Sequence, residues 1–253
     1  MATQTRTATR RAHRSAQRIA AEREARRRKL LLAGSVAAAA VVALVLILLN
    51  LPDNTGDGLP AVAAASEPYP GVPAEGRVLG DLNAPVTVVE YGDYQCPGCA
   101  MFARDVEPRL VADYVATGLV RFEFRDYAFL DDRAGGSESD DAAAAAEAAA
   151  GQGAFWRFHA TLYANQHGEN EGAFTEERLI AMAEALGLDI SRFRADLDGA
   201  ATGSTVAAMT EEARGLGLPG TPSFTINGRA IEYEGYDSLA AAIDAELTAL
   251  GVR

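Results

Sequence analysis

Val86-Thr87-Val88-Val89-Glu90-Tyr91, then Gly92-Asp93-Tyr94-Gln95, then Cys96-Pro97-Gly98-Cys99 is the stretch whose reading decides the fold. The first six residues follow Pro85 and are mostly apolar and β-branched, the composition of a buried strand. Beyond the cysteines, Met101, Phe102, Val106, Leu110 and Val111 recur near helical spacing, which predicts a helix from Cys96 to about Tyr114. Pro97 suits the first turn of that helix, where a missing N–H would have had no partner anyway. Cys96 therefore sits where unpaired backbone amides and the positive end of the helix dipole favour a thiolate. Cys99 lies one turn later on the same face, close enough to displace whatever bonds to Cys96 or to close a disulfide with it.

These are the only two cysteines in 253 residues. A secreted scaffold stapled by disulfides would spread more of them along the chain. A Cys-x-x-Cys is also half of a zinc site, but tetrahedral zinc needs two further good ligands. His13 stands in the basic N-terminal arm, and His159 and His167 have no spacing of a ligand pair. An inert structural disulfide is the other plain alternative. Redox work by the pair is the preferred reading, with no metal and no bound cofactor expected.

Outward from this stretch, Val120 to Phe124 alternates as a second strand, and residues from Ser139 to about Gly217 read as helical, with breaks near Gly151–Gly153, Gly168–Gly172, Gly187 and Gly203. Pro222 leads into a strand from Ser223 to Ile226, Asn227-Gly228 signals a hairpin, and Ala230 to Tyr233 is the returning strand. Asp237 is the expected cap of a last helix reaching about Leu250, with Leu239, Ile243 and Leu247 on one stripe. Strand, helix, strand, helical block, strand, hairpin, strand, helix gives an α/β fold with a small mixed sheet covered by helices. Phe155, Trp156, Phe158 and Leu162 read mainly as core of the helical block, some of them possible borders of an apolar groove, and His159 as a packing residue.

The net charge of −12 conceals a division. Residues 1–29 hold ten Lys/Arg against two Asp/Glu, or +8, whereas the rest of the chain stands at −20. So acidic a surface repels phosphate, which argues against a nucleic-acid partner. Leu30 to Leu49 has no charged residue and is long enough, at about 1.5 Å per residue, for about 30 Å of hydrocarbon. Arg26, Arg27, Arg28 and Lys29 precede it, so the expected topology is a cytoplasmic arm (1–29), a transmembrane helix (30–49) and an extracytoplasmic remainder. The competing reading, a signal peptide cleaved near Ala61-Val62-Ala63, requires an unusually long apolar core. Residues 50–76, with Pro52, Pro60, Pro68, Pro70 and Pro73, are expected to form an exposed, semi-extended spacer, and 77–253 the globular domain.

The stretch Val88 to Cys99 resembles the active-site region of DsbA-like thioredoxin-fold thiol–disulfide oxidoreductases. Gly151-Gln152-Gly153-Ala154-Phe155-Trp156-Arg157-Phe158-His159 resembles the inserted helical segment of that family, placed here at about 135–217. Gly220-Thr221-Pro222-Ser223-Phe224 with Ile226-Asn227-Gly228 resembles its cis-proline loop and hairpin. The resemblance implies a thioredoxin-like fold with a helical insertion, a redox disulfide between Cys96 and Cys99, and a cis bond between Thr221 and Pro222 packed against the Cys96 sulfur. Pro97 and Gly98 would shape the site between the two sulfurs, and Thr221 would offer backbone groups to an extended peptide. It further implies that Glu90, six residues before Cys96, is a proton acceptor or relay for Cys99; read alone, Glu90 could be a surface carboxylate at a strand edge. The partners implied are unfolded or partly folded extracytoplasmic protein thiols and a quinone-linked membrane reoxidase of the DsbB or vitamin-K-epoxide-reductase-like type. Pro97 and Gly98 have no side chain to stabilise a thiolate, so the Cys96 pKa should fall less than in the strongest oxidants. A reductase or isomerase, or a tethered redox-sensing or assembly module, would use the same residues.

Overall fold

The computed structural model describes residues 59–131 and 135–252; the basic arm, the expected transmembrane helix and residues 50–58 of the expected spacer lie outside the described residues. Among the described residues no helix is long and apolar enough to cross a membrane.

A six-stranded mixed sheet organises the domain. Two short strands, β1 (Ala74–Glu75) and β2 (Val78–Leu79), precede the central strand β3 (Val86–Gly92). Next come β4 (Val120–Asp126), β5 (Ser223–Ile226) and β6 (Arg229–Ile231), in the spatial order β1-β2-β4-β3-β5-β6. β3 and β4 are parallel, as a crossover helix requires, while β5 pairs antiparallel with β3 and β6 with β5. Val86 and Val88 turn to the main core with Phe122, Phe124 and Phe224, whereas Val89 and Tyr91 turn to a smaller cluster with Ala213 and Leu218. Glu90, by the same alternation, points into the main core.

The crossover helix α1 runs through Pro97–Met101, Phe102–Val106, Glu107–Leu110 and Val111–Val115, the second and fourth segments being π-helical turns. Pro108 lacks an N–H and crowds the preceding turn, which accounts for the irregular winding before it. Met101, which the spacing grouped with the core stripe, is instead 56% exposed. The helical block contains α2 (Glu138–Ala150), α3 (Phe155–Ala164), α4 (Glu176–Ala185), α5 (Ile190–Leu197) and α6 (Ala200–Gly215). Phe155, Trp156, Phe158 and Leu162 are all buried.

Four expectations need correction. Gly203 lies inside α6 and does not break it; nothing approaches the position a side chain would take there, and an interior glycine costs a helix only about 1 kcal/mol. The break falls at Asp198-Gly199 instead. The returning strand of the hairpin ends at Ile231, and Tyr233 leaves the ladder to stack 4.5 Å from the Phe224 ring. The last helix, α7 (Tyr236–Ala249), is capped by Gly235 at φ 126°, and Asp237 is its second residue, where a carboxylate still complements the dipole.

The fourth correction concerns the spacer, whose described part, 59–76, is docked and not free. The Asn165 amide bonds both the N–H and the C=O of Ala63, in the manner of a paired strand. Thr161 accepts from the Ala65 N–H, Arg178 donates to the Pro60 carbonyl, and Val62, Tyr69 and Val72 pack on the core. Proline content gave no sign of this docking, because the side chains that supply its hydrogen bonds, Thr161, Asn165 and Arg178, lie about a hundred residues further along the chain.

Candidate active site

The loop from β3 to α1 is held from several sides. Asp93 folds it locally: its carboxylate accepts from the Gln95 N–H, and its carbonyl accepts from the Cys96 N–H. The same carboxylate accepts from the Ser139 hydroxyl and the Leu130 N–H. Gln95 donates to Asp131 and Ser139 and accepts from the Asn170 N–H; Gln166 donates to the carbonyls of Tyr94 and Cys96. Burial raises the Asp93 carboxyl to about 7 against the opposing pull of its three donors. Asp93→Asn should destabilise the fold by about 1–3 kcal/mol, because one side of the amide would present N–H where a donor already points. Denaturant midpoints of the two proteins measure this.

Cys96 occupies the position just before the helix, with extended backbone (φ −74°, ψ 120°) and Pro97 as the first helical residue. Its thiol is 3.3 Å from the Thr221 carbonyl, and the Thr221–Pro222 bond is cis. A β-carbon on Gly98 would lie 3.2 Å from Pro222 and 3.6 Å from the Cys96 sulfur, so a side chain there would press on the Pro222 ring. Cys96 is 8% exposed and Cys99 fully buried, and both are free thiols.

The two sulfurs are electrostatically unequal. The Cys96 pKa is lowered to about 6, first by the hydrogen bond from the Cys99 thiol, then, against partial burial, by Thr221 and by the backbone N–H groups of Cys99 and Gly98. The helix start thus contributes as expected, but the neighbouring thiol contributes more. Cys99 is pushed well above the usual thiol range by burial, by donating to Cys96 and by the charges of Glu90 and Cys96. One sulfur is prepared as a thiolate, the other kept as a thiol.

Glu90 is completely buried in the central strand, flanked in register by Phe124 and Phe224, which removes the strand-edge alternative. Neither carboxylate oxygen has a hydrogen-bond partner. Burial, then the charges of Glu107 and Cys96, pushes its carboxyl well above the usual range. The structure thus brings together all seven residues singled out from the sequence, Cys96, Cys99, Glu90, Pro97, Gly98, Thr221 and Pro222.

Three residues near the site were not singled out. Tyr163 packs on the two cysteines with Phe129 and Leu130. Glu107, 2% exposed, is a second buried carboxylate, held by Tyr69. A signal for Glu107 existed, because it lies three and four residues before Leu110 and Val111 on the inward stripe. Tyr69, in a proline-rich stretch without periodicity, gave none. Among the described residues no group of three or more His, Cys, Asp or Glu is placed to hold a metal ion.

Comparison with known proteins gives a consistent result. A family model described as thioredoxin matches residues 74–245. The probable disulfide bond formation protein D of Bacillus cereus is 35% identical over 173 residues, spanning 67% of this chain and 77% of that protein. Oxidised BdbD from Bacillus subtilis superposes with a TM-score of 0.62 at 30% identity, over 70% of this chain and 97% of that one. Wolbachia pipientis alpha-DsbA1 shares the fold, with a TM-score of 0.58 at 20% identity over 77% and 96% of the two chains.

Proposed function

Because this chain belongs to the DsbA-like thioredoxin family and is a protein-disulfide oxidoreductase, we propose that it introduces disulfides into extracytoplasmic proteins through Cys96 and Cys99. The observation that carries this reading is the pairing of a thiolate-prone Cys96, beside a peptide-like carbonyl at Thr221, with a buried, protonated Cys99 behind it.

A substrate thiolate attacks the Cys96 sulfur of the Cys96–Cys99 disulfide. The new bond joins substrate to Cys96, and the electron pair of the broken bond leaves on Cys99, which takes up a proton from Glu90. A second substrate thiolate then attacks the substrate sulfur and expels Cys96 as a thiolate. The substrate has lost two electrons, and the protein holds two reduced cysteines. A low pKa makes Cys96 a good leaving group, which drives this direction. The Thr221 carbonyl and the neighbouring edge receive the substrate backbone, while Pro97, Gly98 and Pro222 keep the approach to Cys96 narrow.

The uncharged run Leu30–Leu49, behind four cationic residues, supports a single-pass anchor with the catalytic domain (about 77–253) outside the cytoplasm. There, a quinone-linked membrane protein of the DsbB or vitamin-K-epoxide-reductase-like type would reoxidise the pair. Two measurements test the reading. Cys99→Ser in producing cells should accumulate mixed disulfides between Cys96 and several clients, and a protein that traps none is not exchanging disulfides. Acid-quenched alkylation should find the resting wild-type pair oxidised; a resting dithiol would identify a reductase or isomerase instead.

A further inference from the structure

The loop that follows α3 grips the active-site loop at three points. The half-buried Gln166 side chain donates to the carbonyls of Tyr94, at 2.6 Å, and Cys96, at 3.0 Å. Four residues on, the Asn170 N–H donates to Gln95 Oε1 at 2.6 Å. Both partners of Gln166 are pure acceptors, so only its amide NH2 can face them, with one hydrogen for each carbonyl. Residues 94, 95 and 96 are thus all held by a segment seventy or more residues further along the chain.

The grip is itself fastened. Asn165, buried just before Gln166, bonds the Ala63 backbone and the Thr161 carbonyl. At the other end Asn170 adopts φ 56°, a left-handed conformation that asparagine tolerates, and Glu138 accepts from the Gly172 and Phe174 N–H groups. What the grip holds is the torsion between sulfur and helix. The Cys96 carbonyl also accepts from the Ala100 N–H at 3.1 Å, so it belongs to the first turn of α1. Its direction defines ψ of Cys96, the rotation between the carbon that bears the sulfur and the helix start. Pro97 confines that angle to the extended region, which is broad, and the observed value is 120°. The Gly98 and Cys99 N–H groups that support the Cys96 thiolate are aimed by the same rotation.

We propose that Gln166 is a positioning residue for disulfide exchange: by clasping the carbonyls of Tyr94 and Cys96, it sets the angle at which the start of α1 presents its N–H groups to the Cys96 sulfur. This rests on exchange at Cys96 but not on the direction of electron flow, since both directions pass through the Cys96 thiolate. Without the clasp the thiolate loses part of its support, the reduced form is less favoured, and the protein becomes a weaker oxidant. Cys99 on α1, Glu90 on β3 and Tyr163 on α3 are the titratable groups facing the Cys96 sulfur, and the variants below alter none of them.

The test is titration of the Cys96 thiolate by ultraviolet absorbance in the reduced full-length protein, with the equilibrium against glutathione at pH 7 alongside. Gln166→Met keeps the side-chain length and loses both donors. Its Cys96 pKa should rise from about 6 by about half to one unit, the scale of a lost hydrogen bond. The protein disulfide should then be favoured about three- to five-fold more, a potential about 14–21 mV more negative. Gln166→Glu, ionised against two carbonyls, should move both readouts further the same way. Gln152 is the control, because its amide bridges the N–H and C=O of Asp189 in the same manner, at 2.9 and 3.1 Å, away from the cysteines. Gln152→Met should lower thermal stability and leave pKa and equilibrium at their wild-type values. If Gln166→Met behaves like Gln152→Met, less stable but with both readouts unmoved, Gln166 only braces the loop and the proposal is overturned. Should Gln166→Met not fold, Gln166→Asn, one methylene too short to span both carbonyls, carries the same expectation and the same overturning result. A wild-type pair that does not exchange with glutathione at all would instead sink the chemistry on which the proposal rests.

Discussion

Replacing Cys96 with serine is expected to bring disulfide exchange with a reduced dithiol peptide down to the uncatalysed background, while Cys99→Ser, given the same peptide in its disulfide form, still attacks it through Cys96, expels one peptide thiolate, forms a mixed disulfide once and then stalls. The asymmetry follows from exposure and charge: Cys96 is reachable and thiolate-prone, whereas Cys99 is buried and held as a thiol. Magnitudes decide what the low pKa accomplishes. At pH 7 a thiol with a pKa of about 6 is thiolate about thirty times more often than a free cysteine near 8.5, by simple titration. Nucleophilicity falls with basicity, by about ten-fold over the same difference, so as an attacking group Cys96 gains only a few-fold. Its advantage lies in departure. The low basicity makes Cys96 easy to expel from a mixed disulfide, the step that hands a disulfide to the substrate. A Cys96→Ser protein that kept more than a small fraction of wild-type turnover would sink this account.

The second large effect is a redox-dependent pH profile of stability. The Cys96 pKa of about 6 lies below the unfolded value near 9, so the folded protein binds fewer protons there than the unfolded chain between these limits. Stability from this group is therefore complete above pH 9 and is lost as pH falls through 6. Between pH 6 and 9 the reduced protein should gain about 2–4 kcal/mol, allowing for partial solvent screening, and the disulfide form should gain nothing from this source. Cys99 acts oppositely: its raised pKa removes stability above the unfolded thiol value, so the gain turns over beyond about pH 9. Asp93, at about 7, lowers stability as pH climbs from about 4 through 7, but it does so in both redox forms and cancels in their difference. Denaturant unfolding of the reduced and oxidised proteins across this range, with reduced Cys96→Ala as the reference, gives the test. A reduced-minus-oxidised difference that does not change with pH would contradict the charge on Cys96.

How much of this was legible in the sequence depends on the range of the interactions involved. The strand Val86–Gly92, the helix start at Pro97 and the Asn227-Gly228 turn are local events, set by β-branching, a proline ring and a turn dipeptide, and each falls where the residues place it. The juxtaposition of Thr221 with Cys96 spans 125 residues and was visible only because the order of motifs resembles a known family. Misreadings occurred where a local rule met a tertiary opportunity. Gly203 has open space and tolerates the helix; Met101 lies two residues, about 200°, around α1 from the buried Cys99 and so faces outward. Glu107 was passed over because a charged residue on an inward stripe reads as an interruption, although such interruptions mark sites where burial has been accepted for a purpose.

The clasp of Asn165 on Ala63 also has a mechanical meaning. Since the chain is already fastened to the domain from Leu59, the anchor proposed at Leu30–Leu49 would leave only residues 50–58 between itself and that fastening. Nine residues at full stretch span about 30 Å, well under what the whole 27-residue proline-rich stretch would permit. Under the proposed anchoring, so short a leash would restrict the catalytic domain to clients and a reoxidase within a few nanometres of the bilayer.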